Sequence, residues 1–353
     1  MTSYLPPHLV PTDVLENLAS QTHISELIST KTNLLPWILS RLQTRESPVS
    51  QNKQYSSEVL SILLQSSSVN RIFFLTELPH SLNGLDILLQ LLSPYRKRDP
   101  QNSGEEEEFF ENVFDAITCL VSESVGKEKF VEAEGVELAL IMLREAKKAK
   151  PRALRLLDHS CSGIGGALAC ERLVEMQGLK TIFGMFMKKA DAQSAEHLLG
   201  IFASLLQLLP AESASRIRTL AKFVEKDYEK ITRLIILREG YVARLHDAEK
   251  LIELQKKQTS EEDWEEWEME WESRRLEGGK FCLQLADLVL SWMCAEDDGA
   301  KRKIQEELKK KGMGTEVLKE TLRIQLEEIG EEAQGNEEVS NLREMLLTLI
   351  QFV

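Results

Sequence analysis

In KFVEAEGVELALIMLRE, residues 129–145, a single glycine interrupts an otherwise continuous helical pattern of apolar residues. A glycine inside a helix costs about 1 kcal/mol relative to alanine, so Gly135 indicates a break between two helices. The arrangement returns at Gly84 in NGLDILLQLLS and at Gly178 in QGLKTIFGMFMK, and Asn33 takes the glycine's place in TNLLPWILSRLQ. The steps between these positions are 51, 51 and 43 residues. The sequence therefore contains an internal repeat.

The residues before each glycine repeat as well. FVEAEG (130–135) matches LVEMQG (173–178), and an apolar helical pattern followed by a small-polar turn lies further upstream. The predicted unit is an apolar helix, a turn, a short helix, a glycine or asparagine, and a long apolar helix. Periods of 40–47 residues with two or three helices are typical of armadillo and HEAT repeats. Polar loops such as PYRKRDPQNSG hold the extra residues of the longer steps.

Glycine and asparagine reach left-handed backbone angles at the lowest cost, which gives the repeated position a role. We therefore predict that Gly84, Gly135 and Gly178 are structural turns in the left-handed region, each between a short and a long helix. The pattern fades after about residue 190. The predicted fold is an all-α solenoid of the armadillo/HEAT type, with armadillo-type repeats in residues 1–240 and an irregular helical C-terminal region in residues 241–353.

The composition excludes several classes of protein. A net charge of −14 repels phosphate, so we expect no direct binding of nucleic acid. An acidic surface suits basic partners, although it equally serves solubility alone.

The five cysteines are dispersed in apolar runs and predict reduced, buried thiols of an intracellular protein. The first twenty residues lack a signal-peptide pattern, and no window of 18 apolar residues predicts a membrane span.

One motif invites a catalytic interpretation. LDHSCSGIGG, residues 157–166, places His159, Ser160 and Cys161 beside three glycines. Adjacent residues of a helix point in different directions, and a catalytic triad is assembled in space rather than along the chain. The stretch therefore favours a helix end and an inter-helix turn. The six histidines show no metal-ligand spacing, so we expect no catalytic residues, no metal and no cofactor.

Two acidic segments are candidate protein-binding sites. Glu105, Glu106, Glu107 and Glu108 precede an apolar helix, where acids also stabilise the positive helix end. In EEDWEEWEMEW the candidates share an acidic, tryptophan-rich helix: Glu261, Glu262, Asp263, Trp264 and Trp267. Three- and four-residue spacing places Trp264, Trp267 and Trp271 on one helix face. That face fits either the chain's own core or a partner's groove.

Four stretches together resemble one family. They are NKQYSSEVLSILLQ (52–65), EEFFENVFDAITCL (107–120), ALRLLDHSCSGIGGALACERLVEMQGLKTIFGMFMK (153–188) and EWESRRLEGGKFCLQ (270–284). They are similar to the beta-catenin-like protein 1 family of nuclear, spliceosome-associated armadillo-repeat proteins. Family members carry a longer N-terminal part with a basic segment and further repeats, which has no counterpart here. A solenoid that begins inside its array exposes an apolar end, which a second copy of the chain would cover in a homodimer.

The resemblance implies a non-enzymatic scaffold in the nucleus. It implies splicing factors as partners, with the nineteen complex and its Myb-domain subunit first among them, and basic peptides like nuclear localisation signals. The main hypothesis is a protein–protein scaffold of the spliceosome whose long helices offer carboxylates to a basic segment. The alternative is an adaptor that recognises localisation signals for transport. Importers of that kind repeat tryptophan–asparagine pairs, whereas Trp37 is the only tryptophan in residues 1–240. An enzyme is a third alternative without a supporting motif.

Overall fold

The computed structural model describes residues 10–79, 82–101, 104–188, 191–260, 263–330 and 337–353. Within these ranges every regular element is a helix. The helices are α1 (Val10–Ala19), α2 (Thr22–Lys31), α3 (Leu34–Gln43), α4 (Gln51–Ser66), α5 (Ser68–Thr76), α6 (Gly84–Leu92), α7 (Gly104–Leu120), α8 (Ser124–Glu132), α9 (Gly135–Glu145), α10 (Ala149–Cys161), α11 (Gly166–Glu175), α12 (Gly178–Phe186), α13 (Ala192–Leu208), α14 (Ala214–Lys256), α15 (Trp264–Glu277), α16 (Lys280–Glu296), α17 (Asp298–Lys309), α18 (Glu316–Ile329) and α19 (Glu337–Phe352). A short 3-10 helix, Ser93–Arg96, follows α6. The chain packs into two compact units, Met1–Thr181 and Ile182–Val353.

The first unit repeats a set of three helices. Equivalent helices of successive sets pack on one another: α1 on α4 and α4 on α7, α2 on α5 and α5 on α8, and α3 on α6. Further on, α7 packs on α10, and α8 on α11. Because each helix meets its counterpart in the next set, every set buries its apolar face against its neighbours, as in a solenoid. The predicted all-α, armadillo-type fold is confirmed.

The lengths of the repeated helices differ from the prediction. The helices that follow the glycines, α6, α9 and α12, have only 9, 11 and 9 residues. The longest helix of each set lies upstream of the small-polar turn, and α4, α7 and α10 have 16, 17 and 13 residues. The predicted long helix after the glycine was therefore wrong, because apolar spacing marks a buried face and not the length of the helix.

The glycines lie at helix junctions, but the conformation predicted for them was wrong. At two of the junctions the left-handed residue is the predecessor of the glycine, Glu134 at φ 59° or Gln177 at φ 57°, while Gly135 and Gly178 begin α9 and α12. Gly84 begins α6 after Asn83, whose angles are extended, so neither of these two residues is left-handed. The glycines serve close packing instead. A Cβ atom on Gly135 would lie 2.3 Å from two ring carbons of the buried Phe130, and one on Gly84 would lie 2.5 Å from the Phe74 ring. Only glycine leaves room for these rings.

The second unit is organised around α16. This helix packs on α13, α14, α17, α18 and α19, and nine of its residues are buried. Inside it, Asp287 accepts two hydrogen bonds from Arg238 of α14, at 2.5 and 3.1 Å, and one from Thr321 of α18, at 2.7 Å. Arg238 and Asp287 are both buried. A fully bonded ion pair of this kind ties three helices to one register.

The predicted boundary at residue 240 separates repeats from a C-terminal region by sequence pattern. Residue 240 lies within α14, which bends earlier, where Lys226, Asp227 and Tyr228 adopt left-handed angles. The compact units divide at 181/182, and within the second unit α14 packs on α16 and α17. The division into repeats at 1–240 and a C-terminal region at 241–353 stays a prediction about sequence pattern.

Candidate protein-binding site

The acidic run at the start of α7 splits into residues with different roles. Glu106 is buried, and its carboxylate accepts hydrogen bonds from the Tyr95 hydroxyl at 3.0 Å, Arg98 at 2.7 Å and the Gln101 amide at 2.8 Å. Burial raises the pKa of Glu106, but these three donors outweigh it and leave the pKa below its ordinary value. Glu106 therefore holds the loop before α7 and does not face a partner.

The other acids of this run lie closer to solvent. Glu105 and Glu108 are exposed, and Glu107 is half-buried. Glu105 and Glu107 lie in the first turn of α7, where a negative charge offsets the positive end of the helix dipole. Glu105 and Glu108 therefore offer their carboxylates to the outside of the molecule, as was expected from the sequence for the whole run.

Glu107 begins a row of three acids on α7 that faces a row of three bases, Lys148 just before α10 and Arg152 and Arg155 on α10. We call these six residues the charge ladder. Its ion pairs are Lys148–Glu107 at 2.8 Å, Arg152–Glu111 at 2.5 Å and Arg155–Asp115 at 3.0 Å. The side chains of all six keep between 30% and 45% of their surface exposed. The ladder thus crosses two of the longest helices of the first unit at the surface.

The acids of the ladder repel one another along α7. Burial raises the pKa of Glu111, Arg152 lowers it, and the neighbouring carboxylates of Asp115 and Glu107 raise it again, with a net rise. Acids four residues apart on a helix destabilise each other by a few tenths of a kcal/mol. The three facing bases offset this repulsion, because each of them pairs with one of the acids.

The tryptophan segment packs mostly on its own chain. Trp271 is fully buried and donates its indole N–H to Gln255 at 3.3 Å. Trp264 is half-buried and meets Trp271 edge-on, with ring centroids 6.1 Å apart. The Lys256 ammonium lies 4.9 Å from the Trp264 ring centroid and 4.7 Å from that of Trp271. This packing agrees with the alternative that placed the stripe in the chain's own core.

The remaining candidates of that segment have different surroundings. Asp263 is exposed and accepts a hydrogen bond from the Ser260 hydroxyl at 2.8 Å, while Trp267 is half-buried. Glu261 and Glu262 lie outside the described residues. Met269 is a large apolar residue of the same helix with 81% of its surface accessible.

The stretch after Leu157 is the end of α10 followed, from Ser162, by the turn to α11, as predicted. Ser160 and Cys161 are buried, and the Ser160 hydroxyl donates to the Leu157 carbonyl at 2.8 Å. The turn is held by Lys127 of α8, a buried lysine whose ammonium donates to the carbonyls of Ser162 and, at 3.1 Å, Ile164. Lys127 was not predicted from the sequence, because a lysine in a polar run carries no signal of burial.

The described residues were also compared with the requirements of a metal site and of a membrane-spanning helix. In the described ranges, no group of three or more histidine, cysteine, aspartate or glutamate side chains could hold a metal ion. No single helix there is long and apolar enough to cross a bilayer. The bent pair α4 and α5 meets that length and composition only when its two helices are taken together, across a bend of 115°.

Comparisons with known proteins all match beta-catenin-like proteins. A family model described as "Catenin-beta-like, Arm-motif containing nuclear" matches residues 11–323. The beta-catenin-like protein 1 homolog of Schizosaccharomyces pombe is 36% identical over 327 residues, which are 92% of this chain and 56% of the relative. Beta-catenin-like protein 1 of Homo sapiens is 34% identical over 334 residues, covering 90% and 57%. The Bos taurus protein is 33% identical over 352 residues, covering 96% and 61%. The chain thus spans less than two thirds of these relatives.

Proposed function

Because the chain belongs to the catenin-beta-like, Arm-motif containing nuclear family, we propose that it is a non-enzymatic protein-interaction scaffold of pre-mRNA splicing. The family is nuclear by its description, in line with the location predicted from the sequence. The proposed partners are splicing factors, with the nineteen complex and its Myb-domain subunit first among them. The proposed contact is made through basic segments that resemble nuclear localisation signals.

The charge ladder is the observation that carries the proposed mechanism. A lysine or arginine of an extended segment would lie beside Glu107, Glu111 or Asp115 and share the carboxylate with its α10 partner. Rearranging an existing ion pair to admit the partner's base costs little free energy, because partly exposed ion pairs contribute only about 0–1 kcal/mol each.

A transport adaptor is the weaker alternative. Trp37 is 59% exposed, so one tryptophan of the repeats is available to a peptide. An importer would carry further tryptophans on the successive helices, and residues 1–240 contain no tryptophan besides Trp37. We therefore propose recognition by charge and not by stacking on aromatic rings.

A peptide-binding experiment tests the proposed contact. The probe is a fluorescein-labelled nine-residue peptide with five lysine and arginine residues, and its twin carries glutamine at those five positions. We expect saturable binding of the basic probe alone, weakened about tenfold between 50 and 300 mM salt because screening shortens the reach of exposed charges. Binding that is insensitive to salt, or equal for both peptides, would contradict the mechanism.

Matched variants locate the contact on the ladder. The double variant Glu107→Gln, Glu111→Gln keeps the shape of both side chains and should weaken the probe about fivefold or more, at up to 1 kcal/mol per exposed pair. Glu175→Gln, on an exposed acid of α11, is the control and should stay within about twofold. A pulldown from nuclear extract tests the splicing assignment separately. Recovery of no splicing factor would count against that assignment even if the peptide binds.

A further inference from the structure

A groove of about 700 Å³ opens in the second unit between α13 and α19, with α16 between them. Along α19 it is lined from Asn341 to Phe352 by residues three and four positions apart, which form a single helix face. The eleven helical steps from Asn341 to Phe352 span about 16 Å, or three turns. The groove is therefore long enough for a short segment of another chain and too large for one side chain.

The wall formed by α13 and α16 is held in place by a buried arginine. Arg216 donates to the carbonyl oxygens at the end of α13, including Leu206 and, at 3.4 Å, Leu209. The same guanidinium pairs with Glu296 and lies 4.8 Å from the ring centroid of Trp292. Glu296 and Trp292 both line the groove. Their positions are thus fixed before any ligand arrives, which lowers the ordering cost of binding.

The chemistry of the groove is apolar with an acidic edge. Its apolar lining consists of Leu208, Trp292, Ala295, Met345, Leu349 and Phe352. The Phe352 side chain is 48% exposed, although it is large and apolar. The charged lining residues are Glu296 and Glu344, and no base lines the groove within the described part of the chain. Glu296 is neutralised by Arg216, whereas no described cation pairs with the exposed Glu344.

We propose that this groove docks an amphipathic helix of a partner protein, about three turns long, with lysine or arginine beside its apolar stripe. Apolar residues at three- and four-residue spacing would fill the groove, as in other helix-in-groove complexes. The flexible side chain of Met345 adapts to different anchors. A base of the partner would pair with Glu344. Charge complementarity selects a basic helix, since the chain carries a net charge of −14 and the uncompensated charge of the groove is a carboxylate.

The test uses the full chain and two synthetic probes. One is a labelled fourteen-residue peptide with leucine on one helical face and lysine on the other, and its twin carries glutamate in place of lysine. We expect the lysine peptide to bind saturably by fluorescence anisotropy and at least tenfold more tightly than its twin. No saturable binding of the lysine peptide, or equal binding of both, would overturn the proposal.

Two adjacent positions of α19 give a matched pair of variants. Thr348→Trp places a large ring into the groove and should weaken the lysine peptide at least tenfold. Leu347→Trp adds the same ring at a 44% exposed position that does not line the groove, and should leave the affinity within twofold. Equal weakening by both variants would overturn the proposal, because it would indicate a disturbed helix and not a filled site.

Two further measurements distinguish docking in this groove from binding at the charge ladder and from dimerisation. Glu344→Lys should weaken the lysine peptide several-fold, while Glu320→Lys on α18 should not. The weakening by Thr348→Trp should persist in the background of Glu107→Gln, Glu111→Gln, which removes any binding of this basic probe at the charge ladder, so the groove stands or falls independently of the ladder. Sedimentation velocity tests the competing occupant: a dimer that Thr348→Trp abolishes would mean that a second copy fills the groove, and would overturn the proposal.

Discussion

Replacing Gly135 with alanine should destabilise the first unit by about 2 kcal/mol, although alanine is the better helix former. The added Cβ would lie 2.3 Å from Cδ2 and Cε2 of Phe130 and 2.7 Å from Cζ. Ordinary contacts between carbon atoms are 3.5–4.0 Å, so the ring must retreat by more than about 1 Å. Phe130 has no exposed surface into which it could turn.

Two limits set the magnitude of this effect. Overpacking a core by one methyl group costs about 1–3 kcal/mol, and complete loss of a buried phenylalanine costs about 3–5 kcal/mol. The gain in helix propensity is at most about 1 kcal/mol. A loss of 2 kcal/mol in a unit of this size lowers the melting temperature by about 4–8 °C. Equilibrium urea denaturation followed by far-UV circular dichroism measures the loss, and hydrogen exchange of residues 124–145 locates it.

Other positions of the chain supply the controls. Gly184 and Gly240 lie inside helices with no atom within 4 Å of an added Cβ, so Gly184→Ala and Gly240→Ala should stabilise by about 0.5–1 kcal/mol. In the background of Phe130→Ala, the change Gly135→Ala should become neutral, because the overlapping ring is gone. A double-mutant cycle measures this coupling. An equal loss of stability with and without the ring would refute the packing argument and indicate a backbone requirement at Gly135.

Three further predictions concern other parts of the structure. Glu134→Gly should stabilise by about 0.5–1 kcal/mol in urea denaturation, because glycine adopts the left-handed angle at this position without a Cβ penalty; a loss of stability would contradict this. Asp287→Ala should cost about 3–5 kcal/mol by leaving Arg238 buried and unpaired, whereas Arg238→Met with Asp287→Leu should cost much less; equal losses would contradict this. The folded pKa of Glu106 is lowered, so its contribution is present above the ordinary pKa and lost as pH falls through the folded value. Glu106→Gln should therefore destabilise at pH 7, by about 1–3 kcal/mol, and the difference should shrink below about pH 4.5; a difference independent of pH would contradict this.

The sequence predicted the repeat and its frame, because burial leaves a periodic trace in apolar spacing. Gly84, Gly135 and Gly178 do mark the helix junctions. The assignment of the left-handed angle failed by one residue at Gly135 and Gly178 and altogether at Gly84. At Gly84 and Gly135 glycine is required by a ring that packs on it and not by its own backbone angle. Phe74 lies ten residues before Gly84 and Phe130 five before Gly135. Spacing along the chain does not show which ring covers which glycine.

The candidate binding residues were harder to predict. Four consecutive glutamates look alike in sequence, yet Glu106 is buried beneath Tyr95 and Arg98 while Glu105 and Glu108 face solvent. That difference comes from a loop that folds back onto α7, which no local pattern records. The pairing of Arg152 with Glu111 joins positions about forty residues apart and likewise appears only once the helices are packed.

The contact of glycine with an aromatic ring limits how repeats of this kind can be exchanged or designed. Gly135 and Phe130 lie within one set of three helices, so a transplanted set carries both the ring and the glycine that leaves room for it. A consensus sequence chooses the residue at each position separately. It would therefore combine a large ring at position 130 with alanine at position 135, and the two would overlap. Among homologues we expect the two positions to change together, with alanine at the glycine where the ring is replaced by a smaller side chain. At this junction evolution then acts on Gly135 and Phe130 together and not on either residue alone.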